Sequence, residues 1–326
     1  MKESLKKTLL YKIYRDYFGP VRDTILHYLY DLKLFWKYSG AFRGNSRQHR
    51  IARLIMLYHS LEKGLSLDSP RQGFGAEKVS ALVIELKAYL KDFGREDVVV
   101  EHCLSALRSY SDHSSGMEIS VKVNQFLEDF DIPAGRAATT TVFKDRITAI
   151  CDRFSFEEFT KCRHSIRNFS DDPVDEKDLY DAIRIAQKTP SVCNRQTSRV
   201  HILTGEKKNQ VLAIQAGSRG FSERIHAILI VTSDRRNFVS IGERNQCWVD
   251  SGMFSMSLVY ALHSLQLGTC CLNWSLPRGR DIIGKRAAAI PEYEAVAMII
   301  AVGHIPQQLE VARSNRLKLS DIVFKK

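Results

Sequence analysis

The stretch RHSIRNFS, Arg163–Ser170, decides how the second half of the chain is read. As an extended strand it alternates faces, so Arg163, Ser165 and Arg167 point the same way, roughly 7 Å apart at successive like-facing positions. Two guanidinium groups flanking a hydroxyl make a face for an anion, because each supplies forked donors that match phosphate or carboxylate geometry. An Arg-Ser-Arg strand is equally an ordinary salt-bridged surface. What lies around the stretch therefore has to decide between the two.

Downstream, Asp172-Pro173 sets a turn and Asp175 can cap a helix with acidic residues in its first turn. That helix runs through Leu179, Ile183 and Ala186 and stops before Pro190. The loop TPSVCNRQTS, Thr189–Ser198, offers donors and acceptors at Ser191, Asn194 and Gln196; turn geometry alone also explains such residues. Arg199–Thr204 alternates as a strand, and Ile225–Thr232 is a nearly continuous apolar run, the pattern of a buried strand. Asn245–Leu267 predicts a long helix that is apolar on most sides, which requires burial either centrally or in a subunit interface. Gly268 is expected to end it. The segment GTCCLNWS, Gly268–Ser275, then leaves as a strand, and Ala295–Val302 supplies another. Cys270 and Cys271 read as small hydrophobes rather than redox groups, and Met253 and Met256 as core or interface. The class is α+β.

Upstream the texture differs. Leu9, Leu10, Ile13, Tyr14, Tyr17 and Phe18 recur at helical spacing, Gly19-Pro20 interrupts, and a second helical run spans Val21 to about Trp36 before Ser39-Gly40. Further helices are expected at Ala76–Phe93, Asp97–Ala106 and Ile119–Phe130, with a loop at Ser109–Gly116 and a linker at Asp131–Thr141. The expected division is an all-α N-terminal extension over residues 1–150 and a second domain over 151–326. His59 and Glu62 fall in the stretch YHSLEKGLSLDSP, but their H-x-x-E spacing is not H-E-x-x-H, which leaves a structural role or a site at a helix end.

The formal charge of +11 favours anionic partners. Residues 1–75 hold 14 Lys/Arg against 6 Asp/Glu, a surplus of +8, so most of the excess lies in the first quarter. Basic residues interleaved with aromatics there suit packing on a partner domain, or a weak peripheral membrane contact. Seven cysteines without C-x-x-C spacing point to reduced thiols and a cytoplasmic setting. The third glycine of a dinucleotide loop is missing after Gly73-Phe-Gly75, and no G-x-x-x-x-G-K-[ST], G-x-S-x-G or zinc spacing occurs. No nucleic-acid module is legible, and no apolar run reaches membrane-spanning length.

Taken in order, four features resemble the nitroreductase family of FMN-dependent oxidoreductases. They are Arg163-His164-Ser165-Ile166-Arg167-Asn168-Phe169, Pro190-Ser191-Val192-Cys193-Asn194-Arg195-Gln196, Gly268-Thr269-Cys270 after a buried helix, and Ile290-Pro291-Glu292-Tyr293 before a strand ending in Gly303-His304, with a basic tail at Arg313 and Arg316. The resemblance covers about half the chain, from residue 155 on, and implies a central mixed or antiparallel sheet flanked by helices. It implies FMN, with Arg163, His164, Ser165, Arg313 and Arg316 on the phosphate and ribityl side and Arg167 near the pyrimidine edge. It also implies Pro190, Ser191, Asn194 and Gln196 as cofactor-binding residues, with Asn194 on the imide edge, and a backbone N–H of Leu272 or Asn273 toward N5. No dedicated catalytic base and no metal is implied. Reduced nicotinamide, NAD(P)H, would be the reductant, a small molecule the acceptor, and a homodimer the working unit. The same fold also runs flavin fragmentation, dehalogenation and dehydrogenation, and a non-enzymatic docking protein is the further alternative. Thr197 stands where the family's pattern has proline. The helical front is similar to N-terminally extended members associated with bacterial polysaccharide biosynthesis clusters, through His59-Ser60-Leu61-Glu62-Lys63-Gly64-Leu65.

Overall fold

The computed structural model describes residue 12 and residues 18–42, 44–65, 70–130, 138–139, 155–215, 217–309, 311 and 319–326. The expected helix at Leu9–Phe18, the linker at Asp131–Thr141 (apart from 138–139) and both tail arginines, Arg313 and Arg316, lie outside the described residues. The fold is α+β: a four-stranded antiparallel sheet flanked by helices and preceded by helices.

The strands are β1 (Ser198–Thr204), β2 (Ala227–Asp234), β3 (Leu267–Leu272) and β4 (Glu294–His304). Their order is β1-β2-β4-β3, with every neighbour antiparallel. Every residue of β2 is buried because both faces of the sheet are covered. Ile228 and Ile230 point into one core with Val211 and Leu212 of a helix at Gly205–Gln215, while Leu229 and Val231 point into another with Leu179, Leu258 and Leu262. Period-two alternation across a doubly covered sheet thus explains an apolar run with no polar face.

In the front, α1 (Gly19–Tyr38), α2 (Arg47–Leu65), α3 (Ala76–Phe93), α4 (Val98–His113) and α5 (Glu118–Leu127) are the described helices. Pro20 sits in the first turn of α1, where its missing N–H costs nothing, so Gly19-Pro20 starts a helix rather than breaking one. α4 runs on through Ser109–His113, where a loop was expected, because Leu107 and Tyr110 continue its buried stripe onto Leu82, Leu86 and Tyr89 of α3. His59 and Glu62 lie within α2 and bond each other, Nδ1 to Oε2 at 2.8 Å.

The second half adds α6 (Phe156–Cys162), α7 (Glu176–Ala186), α8 (Gly205–Gln215), α9 (Gln246–Ser264) and α10 (Arg278–Ala287). Asp175 caps α7 as expected, its Oδ1 accepting from the Lys177 N–H at 2.9 Å. One expectation about α9 changes. Gln266, in a left-handed conformation (φ 62°), follows the helix, and Gly268 already belongs to β3. Leu258, Val259, Ala261 and Leu262 are buried, but Trp248, Val249, Met253 and Met256 stay exposed along one side.

The stretch Arg163–Ser170 is not a regular strand. It makes one parallel bridge, Ser165 to Thr269, at the outer edge of β3. The Ile166 N–H donates to Thr269 O at 2.8 Å, and the Ser170 N–H to His304 O at 3.0 Å. Between those two bonds Phe169 is fully buried against Gly303, where an added Cβ would lie 2.6 Å from the ring. Gly303→Ala is therefore expected to lower stability by about 2 kcal/mol through overpacking, read as a lower urea midpoint with an unchanged slope.

Candidate functional site

The anchored edge fixes where the first set of predicted site residues stands. Ile166 and Phe169 are spent on the core, and because they are three residues apart the segment does not alternate as a strand would. Arg163 and Ser165 are partly exposed, and His164 and Arg167 are exposed. Arg167 donates only weakly to the Ser165 carbonyl, at 3.5 Å. Among the described residues neither Arg163 nor Arg167 has a carboxylate partner. The salt-bridged surface reading therefore fails, and two cations stand open beside one hydroxyl.

Their field is felt locally. Burial pushes the Cys270 thiol up, with Arg167 pulling the other way, and burial pushes Cys271 up against Arg163. His263, at the end of α9 with its ring 4.7 Å from that of Phe159, is held below its ordinary value by burial and, to a smaller degree, by Arg163 and His164. The thiols stay protonated and the imidazole neutral near pH 7, which leaves the two guanidinium groups as the charges a ligand meets.

Leu272 and Asn273 continue the same edge. Leu272 is buried opposite Ile299. The Asn273 side chain accepts from the Ser275 N–H at 3.2 Å, and its carbonyl accepts from Gln215 Nε2 at 3.0 Å, so this turn is held in place by its own bonds.

The second set lies elsewhere. Pro190, Ser191, Asn194 and Gln196 form a tight turn before β1, in which Cys193, Asn194 and Gln196 all take left-handed backbone angles (φ 48°, 53° and 50°). Each such non-glycine residue costs roughly 1 kcal/mol. The turn persists because it is bonded on every side. The Ser191 hydroxyl accepts from the Gln196 N–H at 2.8 Å, and the Ser191 carbonyl from the Asn194 N–H at 2.9 Å. Asp250 of α9, itself buried, accepts from the Val192 N–H, from the Thr197 hydroxyl and from Gln246 Nε2. Thr197 thus uses its hydroxyl where a proline would offer none. Fully buried Arg195 pairs with Glu243 through both terminal nitrogens and donates through Nε to Val192 O at 3.3 Å. With this scaffolding in place, the Asn194 side-chain amide has no partner among the described residues and is free for a ligand.

Arg195, Glu243 and Asp250 are the residues that sequence reasoning missed. Arg195 sat unremarked inside the quoted loop, and nothing in the spacing of Glu243 or Asp250 tied them to it. A cleft of about 860 Å³ opens beside the turn, lined by Ser191 and Gln196, by Leu179 and Phe254, and by Ile51 and Ile55 of α2.

The two sets do not meet within one chain. One precedes β1 at one edge of the sheet; the other lies outside β3 at the opposite edge. Three strand spacings separate β1 from β3 and the bridged segment adds a fourth, about 19 Å in all at roughly 4.8 Å each.

Residues 160–239 match the model of the nitroreductase family, described as "Nitroreductase family". No curated protein matches the chain. Among solved structures, the chain is similar to a putative nitroreductase in complex with FMN from Desulfovibrio desulfuricans, at 21% identity over 52% of this chain and 95% of that one, with a TM-score of 0.45. A nitroreductase family protein from Streptococcus pneumoniae aligns at 21% identity over 53% and 100%, TM-score 0.46. An FMN- and NADPH-dependent nitroreductase from Sphigopyxis sp. aligns at 19% over 53% and 99%, TM-score 0.45. The residues matched by the family model take in both Arg163–Phe169 and the turn at 190–196.

Glu243→Gln would leave the Arg195 guanidinium buried without its counter-charge. It is expected to cost about 3 kcal/mol, measured by urea unfolding, and to raise proteolysis within the 190–197 turn before the rest of the chain.

Proposed function

We propose that the chain is an FMN-dependent oxidoreductase that takes hydride from NAD(P)H and passes electrons to a small-molecule acceptor, working as a homodimer in the cytoplasm. The observation that carries this reading is the pair of guanidinium groups, Arg163 and Arg167, held open and unpaired beside Ser165. Their family-model match adds to it.

The residues present fit the cofactor. Arg163 and Ser165 offer forked and hydroxyl donors to a phosphate and a polyol, and the tail arginines, Arg313 and Arg316, would complete that side. Arg167 would stand at the pyrimidine edge, where a fixed cation stabilises the reduced form with little reorganisation. The free amide of Asn194 carries both a donor and an acceptor, which an imide edge requires. When bound, FMN supplies the two-electron chemistry, accepting hydride and later releasing electrons. The chain's own part is to bind and orient the cofactor, to hold positive charge at its electron-rich end, and to keep nearby thiols protonated and inert.

The separation of the two sets supports a homodimer. Residues about 19 Å apart across one sheet cannot grip the same ring, but the turn of one copy can face the arginine edge of another. The exposed side of α9, with Val249, Met253 and Met256, is an apolar seam for such pairing.

Purified protein is expected to be yellow and to bleach when NADPH is added anaerobically. Arg163→Ala combined with Arg167→Ala should lose most bound flavin, roughly tenfold or more in occupancy, while circular dichroism and dimer mass stay unchanged. Full occupancy in that double variant would overturn the proposal.

A further inference from the structure

Helix α1 is mounted with its polar side against the rest of the chain. Tyr30 donates to Asp281 at 3.0 Å, Lys37 to Glu292 at 2.7 Å, and Tyr38 also to Glu292. The Arg278 guanidinium lies over the Tyr30 ring, 5.2 Å from its centre. Among the large apolar side chains of α1, Leu34 and Phe35 are buried. The opposite side carries Val21, Ile25, Tyr28, Leu29, Leu32 and Trp36, spaced by three or four residues so that they form one stripe. All six are more than half exposed, with Tyr28 at 73% and Trp36 at 63%. An amphipathic helix of a globular protein ordinarily does the reverse. Leu34 and Phe35 lie near its end, so most of the length is held by polar contacts alone. Six large side chains in one stripe also exceed the scattered apolar exposure expected of a monomer surface.

The stripe continues beyond the helix. On one flank it borders a cleft of about 1130 Å³, whose far wall includes Phe238, Ile241 and Trp248. Ile241 is 61% exposed. At the margins stand Lys33 and Arg244, both exposed and without a carboxylate partner among the described residues, Arg22, which pairs with its neighbour Asp23, and the exposed carboxylate of Asp31. The sequence leading into α1 adds Lys2, Lys6, Lys7, Lys12 and Arg15 against Glu3 and Asp16. Apolar side chains with aromatics at the surface and cations around them are the chemistry of a helix lying in a lipid–water interface. Charge selects this occupant over a second copy, because a twofold contact through the stripe would bring the unpaired Lys33 and Arg244 of each copy into one interface.

We infer that α1 and the adjoining Ile241–Trp248 surface form a face that seats the protein on an anionic lipid bilayer. The helix lies on the surface and does not cross it; no described helix is long and apolar enough to span a membrane. This inference does not rest on the redox reading, and its test needs no flavin.

The full chain would be floated with vesicles of phosphatidylcholine and phosphatidylglycerol, and with vesicles of phosphatidylcholine alone. Wild-type protein should float with the mixed vesicles, with a bound fraction that falls as salt is raised. Ile25→Asn, Leu29→Asn and Leu32→Asn combined should lower that fraction roughly tenfold or more, with circular dichroism and dimer mass unchanged. Lys33→Gln with Arg244→Gln, which disturbs no contact within the chain, should weaken binding to the mixed vesicles only. Failure of wild-type protein to float, or equal flotation of the triple variant, overturns the inference. So does a triple variant whose mass by light scattering drops to that of one chain, since the stripe would then be a contact between copies.

Discussion

Everything near the open arginines depends on a ring filling the space that a glycine leaves. Phe169 lies on Gly303 at the end of β4, with no side chain between ring and backbone. The hydrogen bonds at Ile166 and Ser170 close over it on either side. Hydrogen bonds alone would hold an edge segment loosely, because each contributes about 1 kcal/mol net. Burying an aromatic ring adds several times that. The consequence is directional. With Ile166 and Phe169 committed to the core, Arg163, Ser165 and Arg167 keep their access to solvent, and among the described residues the two guanidinium groups have no acidic partner.

At the other edge the backbone itself is forced. Three left-handed non-glycine residues within four positions are unfavourable, and the turn is kept by a buried ion pair and a buried carboxylate. Arg195 and Glu243 join the turn to the segment before α9, while Asp250 joins it to α9 itself. α2 reaches the same region, its Gln48 donating to Asn237 at 2.9 Å, and its Ile51 and Ile55 forming one wall of the cleft beside Ser191 and Gln196. The helical front thus bears on the part of the fold that holds the strained turn, and a change in α2 would be felt there before it was felt at the arginine edge.

Much of this was legible in the sequence, for reasons that can be stated. β2 was readable because burial on both faces leaves a continuous apolar run. α3 and α7 were readable because their stripes coincide with their caps or breakers. α8 was not, since its amphipathic pattern is weak and it opens on Gly205, which reads as a breaker. α10 went unassigned because Arg278, Arg280, Lys285 and Arg286 dilute its apolar residues. The quoted stretch departs from regular alternation: a strand would put Phe169 on the side of Arg163, Ser165 and Arg167, yet Phe169 is buried, and one bridge stands in place of a full ladder. Arg195, Glu243 and Asp250 could not be found because their partnership is made only by the fold, across tens of residues of sequence.

Net charge was the least informative number until the structure sorted it. Arg53 is paired with Glu85, Arg47 with Asp97, Arg195 with Glu243 and Arg236 with Asp234. Those cations hold elements together and offer little to a ligand, because a carboxylate already occupies their donors. Among the described cations without a carboxylate partner are Arg163 and Arg167 at the sheet edge, and Lys33 and Arg244 beside the outward stripe of α1. A positive total says only that anions are attracted. Which anion, and where, is set by what surrounds the unpaired charge. A hydroxyl and a rigid edge surround the first pair, which suits a small phosphorylated molecule. Exposed apolar surface surrounds the second, which suits a charged interface whose depth is hydrocarbon.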